Sequence, residues 1–233
     1  MSPFDGVVPV RGAVSADPLI GQTRFHAISI PRRTYTGDFW FARSIGTTLW
    51  FALGDVAGKG AQSAVWMAMI QEELDARIDH STALPSPAAI VAQLDEVLRA
   101  EMPPNRFATL VLGRIEQDGA LEIVNAGHCP PLLVRAGGDV ERFETNGAPV
   151  GILPNRSWSA TRGLLVPGDL LVLYSDGLAE ARRRDGTELG IAGASELAAA
   201  ARGESPRAAA TLVAERLTRS ALIEDDVTLL VLG

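Results

Sequence analysis

Residues 49–69 read LWFALGDVAGKGAQSAVWMAM. Leu49 to Leu53 is an apolar run of buried-strand length, and Ala61, Ala64, Val65, Ala68 and Met69 recur at the three- and four-residue spacing of a helix. Between them stand one carboxylate, Asp55, and a Gly58-Lys59-Gly60 bend. A carboxylate at the end of a buried strand, beside glycines that admit close approach, is a common mounting for chemistry. The same elements suggest a phosphate-cradling loop, but that motif needs four residues between its first glycine and the Gly-Lys pair, then Ser or Thr. Here only Asp55, Val56 and Ala57 separate Gly54 from Gly58, and Gly60 follows Lys59. Asp55 would also set a negative charge against the phosphates. The nucleotide-loop reading fails on spacing and charge, leaving Asp55 as a cation ligand or a helix cap.

Toward the N-terminus, residues 1–22 hold Pro3, Pro9, Pro18 and several glycines without a period, and read as an irregular leader. A strand is expected over 24–30, ended by Pro31, and an aromatic-rich one from Gly37 to Phe41 that pairs with 49–53 as a hairpin. Toward the C-terminus, the helix from Ala61 runs to about Asp79 and a loop covers 81–87. A second helix spans 87–101, with Ser86 as N-cap, Pro87 in the first helical position, and Ile90, Val91, Leu94, Val97 and Leu98 as its apolar stripe. Strands are expected at 107–115, 121–126, 132–134, 140–143, 158–165 and 169–174. A helical turn near 178–182, helices near 194–201 and 206–220, and a closing strand at 227–232 complete the chain. With no repeat and no linker-like shift in composition, 23–233 reads as a single α+β domain, its sheets lying beneath helical layers.

The chain has 233 residues, 47% of them hydrophobic and 21% charged, enough for a sizeable core. Its formal charge of −7 argues against a dedicated nucleic-acid binder, which would show a basic face. The single cysteine, Cys129, excludes an intrachain disulfide and suits a reducing compartment. No apolar run approaches the roughly 20 residues of a membrane span, and the N-terminus lacks the pattern of a signal peptide. The expectation is a cytoplasmic protein with neither membrane nor nucleic acid as partner.

Four acidic positions share one setting, a strand boundary beside small residues: Asp38, Asp55, Asp176, and Asp225 with its neighbour Asp226. Carboxylates gathered at strand ends repel one another unless a cation lies among them. Magnesium and manganese take oxygen ligands of this kind, and a pair of such ions can activate water and clamp a phosphoryl group. Three scattered histidines and one cysteine do not make a usual zinc site. For each acid alone, a turn former or helix cap is the competing reading, and Asp118, Asp139 and Asp185 are read as turn residues.

Taken in order, Thr36-Gly37-Asp38-Phe39-Trp40, Gly54-Asp55-Val56-Ala57-Gly58-Lys59-Gly60, Asn125-Ala126-Gly127-His128-Cys129-Pro130-Pro131, Pro167-Gly168-Asp169 through Ser175-Asp176-Gly177, and Asp225-Asp226-Val227-Thr228 resemble the bacterial serine/threonine phosphatases of the stage II sporulation protein E type. That group is a branch of the metal-dependent PPM, or type 2C, superfamily. The resemblance runs from about residue 24 to the C-terminus. It implies a four-layer α-β-β-α sandwich and a centre of two divalent metal ions, Mn2+ or Mg2+. Asp55 would bridge the ions with help from the Val56 carbonyl, Asp38 would serve one ion, and Asp176 and Asp225 the other. Asp226 ranks below Asp225. Asp55, Asp38 and Asp176 would then be the catalytic set, and a metal-activated water would attack phosphoserine or phosphothreonine. The substrate implied is a phosphorylated regulatory protein, with an anti-sigma-factor antagonist in a partner-switching circuit as the type.

This sequence departs from the family pattern at three places. Phe41 stands where many relatives carry a further aspartate, and Ala57 where the eukaryotic branch often has a histidine proposed as general acid. The leader is also too short for a sensor domain, so regulation is expected from a second copy or a partner acting through helices 61–79 and 87–101. The resemblance casts His128 as a structural corner. Lys59 is expected to face solvent or an acidic substrate, and Arg32 and Arg33 are weak phosphate contacts. The rival readings are a silent phosphoprotein-binding module on the same fold and a hydrolase of small phosphoesters.

Overall fold

The computed structural model describes residues 23–32, 34–58, 60–79 and 85–233. The expected leader over 1–22, Arg33, Lys59 and most of the expected 81–87 loop lie outside the described residues. Along the chain the elements are β1 (Phe25–Ile30), β2 (Asp38–Ile45), β3 (Thr48–Val56), α1 (Ala61–Asp79), α2 (Pro87–Glu101), β4 (Ala108–Ile115), β5 (Ala120–Ala126), β6 (Leu132–Val134) and β7 (Val140–Arg142). They continue with β8 (Thr161–Leu164), β9 (Leu170–Tyr174), α3 (Asp176–Ala179), β10 (Arg182–Arg183), α4 (Gly190–Ala199), α5 (Pro206–Ser220), β11 (Ala221–Leu222) and β12 (Val227–Leu232). Among the described residues no helix is long and apolar enough to cross a membrane.

These elements gather into two compact units. One, the Asp55 unit, takes 35–128 and 143–164. It is an antiparallel sheet of order β2-β3-β4-β5-β8 with α1 and α2 packed on it. Ile70, Leu74 and Ile78 of α1 and Ile90, Val91, Leu94 and Leu98 of α2 bury against Phe39, Trp50, Ala52, Leu110, Leu112 and Val124. Side chains alternate across a strand, so Leu49, Phe51, Leu53 and Asp55 lie on the sheet face turned away from these helices. The other, the Asp176 unit, takes the described residues up to Thr34 with 129–142 and 165–233. Its sheet has the order β1-β12-β9-β6-β7. Val172, Tyr174, Val227, Leu229 and Val231 pack there with Ala198, Ala209, Ala210, Val213 and Leu217 from α4 and α5. The alanines let these two helices lie close to the sheet.

Helix α2 forms as the sequence dictates: Ser86 accepts a hydrogen bond from the Ala89 backbone at 3.2 Å, and Pro87 occupies the first turn. Other boundaries differ from expectation. Strand β3 runs past Leu53 to Val56, because Gly54 can pair where a side chain could not. A Cβ on Gly54 would lie 2.5 Å from the Thr109 carbonyl oxygen and 2.6 Å from the Phe39 ring. The repeat that marks α1 as a helix is not its buried face: Val65 is 64% exposed, and Ser63, Ile70, Leu74 and Ile78 are buried instead. The strand expected over 158–165 shrinks to Thr161–Leu164 because Trp158 turns inward, donating from Nε1 to the Ala148 carbonyl at 2.9 Å. The helical turn near Asp176 begins two residues early and gives way to β10, which pairs with β11. Helix α4 starts at Gly190, not Ala194.

Candidate metal centre

In the Asp55 unit, strands β2 and β3 pair with Asp38 directly opposite Asp55, next to Phe39 opposite Gly54. Directly opposed residues share a sheet face, and like charges so placed destabilise the pairing. Asp38 is buried and Asp55 half-buried, and each presents a carboxylate oxygen within 4.8 Å of the other. The backbone holds this corner firmly. The Asp38 amide donates to Thr36 Oγ1 at 3.0 Å, and the Val56 amide to the Gly37 carbonyl at 3.2 Å. Gly37 is the cradle: a Cβ there would lie 2.4 Å from Asp55 Oδ1 and 2.7 Å from the Val56 carbonyl oxygen. With no side chain, Gly37 can pack its backbone close against both of these oxygen donors at the end of the strands. A set of hard oxygens that repel one another suits a hard divalent cation, so the residues present fit such an ion.

On the same face, Thr109 stands opposite Asp55 on β4. Its Oγ1 lies 2.8 Å from His128 Nδ1, while the His128 amide donates to Asn125 Oδ1 at 2.8 Å. His128 is buried, and these two bonds hold it through its Nδ1 atom and its main-chain amide.

In the Asp176 unit, Asp176 follows the end of β9 and opens α3, while Asp225 sits in the turn before β12, the neighbour of β9 in the sheet. Gly177 lets the two meet: a Cβ there would lie 2.1 Å from the Asp226 carbonyl oxygen and 3.3 Å from that of Asp225. Asp225 Oδ1 accepts from the Asp226 amide at 2.9 Å. Asp226 is buried and takes the Arg32 amide, while Arg32 Nε donates to the Ile223 carbonyl at 2.9 Å. Asp226 and Arg32 therefore brace each other's segments. Negative charge accumulates here. Glu180 has its pKa raised by partial burial and then by Asp176, Glu188 and Asp225.

The turn readings of Asp118 and Asp185 also hold. Asp118 Oδ1 accepts from the Ala120 amide, and Asp185 Oδ1 accepts from both the amide and the hydroxyl of Thr187. Sequence reasoning missed Asp169 as an anchor. It is buried, and accepts from Arg135 Nη1 at 2.8 Å, the Ala136 amide at 2.9 Å and the Val166 amide at 3.3 Å. Its only sequence signal is the Pro167-Gly168 turn before it.

A family profile described as "Stage II sporulation protein E (SpoIIE)" matches residues 45–233. The chain belongs to the SpoIIE family. Among SpoIIE-related proteins, it is 26% identical over 162 residues to the phosphoserine phosphatase RsbU of Bacillus subtilis, covering 69% of this chain and 48% of that protein. The chain spans between 24% and 48% of the lengths of three curated relatives it matches. A crystal structure of the RsbU and RsbW domains of Rv1364c from Mycobacterium tuberculosis matches 97% of this chain and 64% of that one, at 25% identity and a TM-score of 0.81. The PP2C phosphatase domain of SpoIIE from Bacillus subtilis matches 91% of this chain and 63% of that one, at 21% identity and a TM-score of 0.79. The fold is thus the α+β, α-β-β-α sandwich class of the PP2C-like SpoIIE domains.

Proposed function

We propose that this chain is a divalent-metal-dependent protein phosphatase acting on phosphoserine or phosphothreonine of a regulatory protein, of the anti-sigma-factor antagonist type. On this reading 23–233 works as one phosphatase domain, and Asp38, Asp55, the Val56 carbonyl, Asp176 and Asp225 hold two ions, manganese or magnesium. The observation that carries it is the opposed Asp38–Asp55 pair, against which Gly37 packs without a side chain. A sheet gains nothing from facing two carboxylates unless a cation joins them. Membership of the SpoIIE family and likeness to a phosphoserine phosphatase supply the reaction class.

When bound, the two ions would lower the pKa of a water and neutralise the phosphoryl oxygens as the serine or threonine oxygen leaves. The chain's own part is positional. Asp55 and Asp38 present carboxylate oxygens from facing strands, and Gly37, lacking a side chain, packs close beside Asp55 and the Val56 carbonyl. Ala57 supplies no proton at the position where the eukaryotic branch carries a histidine, so on this reading water would protonate the leaving oxygen. Regulation would reach the site through α1 and α2. The exposed Ala61, Val65 and Ala68 give α1 an apolar edge for a second copy or a regulatory partner.

The test is manganese-dependent phosphate release from a phosphoserine protein, an aryl phosphate and a nucleotide, with wild type and Asp55→Asn. Turnover of the phosphoprotein should vanish on chelation and in Asp55→Asn. Turnover that survives both would refute the metal reading, and hydrolysis of nucleotides without phosphoprotein would make the chain a small-phosphoester hydrolase.

A further inference from the structure

Beyond Asp55 the chain leaves β3 through a loop with weak preferences of its own, in which Gly58 and Gly60 both have positive φ, +137° and +88°. Something else must fix its path, because the Val56 carbonyl lies at its root. Two consecutive residues ahead of β4 do so. The Ala57 amide donates to the Phe107 carbonyl at 2.9 Å, and Arg106 Nη1 donates to the Ala57 carbonyl at 3.1 Å. The Val56 carbonyl and the Ala57 amide belong to one planar trans peptide. Anchoring the amide on Phe107 therefore aims the carbonyl the opposite way, and anchoring the next carbonyl on Arg106 stops that plane from rocking.

Gly58 is what lets the guanidinium in. A Cβ on Gly58 would lie 2.3 Å from Arg106 Nη1 and 3.1 Å from its Cζ. Arg106 is itself braced at its root, its amide donating to the Pro103 carbonyl at 3.1 Å, and it is half-buried. A hydrogen bond from a guanidinium is roughly twice as strong as a neutral one, so Arg106 is the strongest identified tie on this loop.

We propose that Arg106 is a positioning residue for the metal donors: bound to the Ala57 carbonyl through the space that Gly58 leaves, it sets the direction in which the Val56 carbonyl and Asp55 face a divalent cation. This rests on the metal-dependent reading above. Groups that orient metal ligands from behind typically contribute about 10- to 100-fold in metal affinity.

The test measures Mn2+ binding directly, by electron paramagnetic resonance of the free ion, in the full chain as wild type, Arg106→Ala, Arg106→Lys and Asp55→Asn. Arg106→Ala should bind Mn2+ about 10- to 100-fold more weakly. Its kcat should recover at saturating Mn2+, with an unchanged KM for an aryl phosphate. Arg106→Lys should recover part of the affinity, and added guanidinium should tighten binding to Arg106→Ala. A folded Arg106→Ala that binds Mn2+ as wild type does overturns the proposal. So does a raised KM at unchanged Mn2+ affinity, which would make Arg106 a substrate contact. Should Arg106→Ala not fold, Arg106→Lys alone carries the comparison, and wild-type Mn2+ affinity in that variant with a displaced loop overturns the proposal. If wild type binds no Mn2+, or Asp55→Asn binds it equally well, the metal reading itself falls. That result is distinct from one in which binding depends on Asp55 but not on Arg106.

Discussion

Replacing Gly37 with alanine tests the proposed centre without touching a ligand. The new Cβ would lie 2.4 Å from Asp55 Oδ1 and 2.7 Å from the Val56 carbonyl oxygen, where ordinary contact begins near 3.4 Å. Asp55 can swing its carboxylate aside, but the Val56 oxygen is backbone, fixed in β3 by pairing with Ala108 on β4 and by the Val56 amide bond to Gly37. The start of β2 must therefore draw away from β3 by most of an ångström, or Asp55 must abandon its place. Overpacking of this kind costs about 1–3 kcal/mol, and for a chain of this size each kcal/mol lowers Tm by about 2–4 °C. The effect on turnover is larger, because a displacement of about 1 Å in reacting geometry costs on the order of 100-fold. Gly203→Ala is the matched control. Gly203 lies in the turn before α5 with φ +80°, and a Cβ placed there would meet nothing within 4 Å, so that variant suffers only left-handed strain of about 1–2 kcal/mol. Thermal melts and manganese-dependent phosphate release should thus place the two variants close together in Tm and far apart in activity. If Gly37→Ala turns over and binds Mn2+ as well as Gly203→Ala does, Asp55 and Val56 are not the donors.

Two further substitutions test the supports. Asp169→Asn should lower stability near neutral pH by about 2 kcal/mol, the scale of hydrogen bonds to a charged group. Burial pushes the Asp169 carboxyl up, but the bonds from Ala136, Arg135 and Val166 more than offset this and hold its pKa below the ordinary value. The ionised form is therefore the one the fold favours. The deficit should be full above the ordinary carboxyl range and shrink as pH falls below about 4 in denaturant titrations. An equal deficit at every pH would refute this. Asp95→Ala removes a buried carboxylate that accepts from the Gly151 amide and from Arg99 Nε, each at 2.8 Å, and should cost about 1–3 kcal/mol. Amide exchange at Gly151 should quicken more than at Leu98, and equal protection in both proteins would show that α2 does not hold that loop.

The parts legible in the sequence are those where a local signal and the tertiary demand coincide. Helix α2 carries its own cap, its first-turn proline and a single apolar stripe, and each proves correct in place. Strand β12 is a run of apolar residues buried on both faces, so there is no face to choose. Asp38, Asp55 and Asp176 are legible because a glycine adjoins each, and Gly37, Gly54 and Gly177 prove to be points of backbone contact. Helix α1 is legible as a helix but not in its orientation. Its N-terminal half carries small and apolar residues on more than one side, and periodicity cannot say which side meets the sheet. Ile70, Leu74 and Ile78 decide it, because they are the α1 hydrophobics fully buried in the cluster that holds Trp50 and Ala52. Asp169 and Arg106 are invisible as anchors because their partners, Arg135 and Ala57, are distant in sequence and no local pattern links them.

The Asp38–Asp55 pair shows how a distant turn can decide a site. Side chains on a strand alternate between faces, so a slip of one residue between β2 and β3 would set Asp38 against Gly54 or Val56 and turn it to the helix-covered face. The register is set nearly as far away as the hairpin allows, at Gly46 and Thr47, between the paired Ile45 and Thr48. A two-residue turn of this kind requires positive φ, which Gly46 supplies at +58°. From there the ladder counts without a bulge to Asp38 and Asp55, and continuous pairing of β3 with β4 holds the count from the other side. The carboxylates meet because the turn, both ladders and the Gly37 gap all agree. That agreement makes a chance pairing of two turn-forming aspartates a poor explanation of the same arrangement.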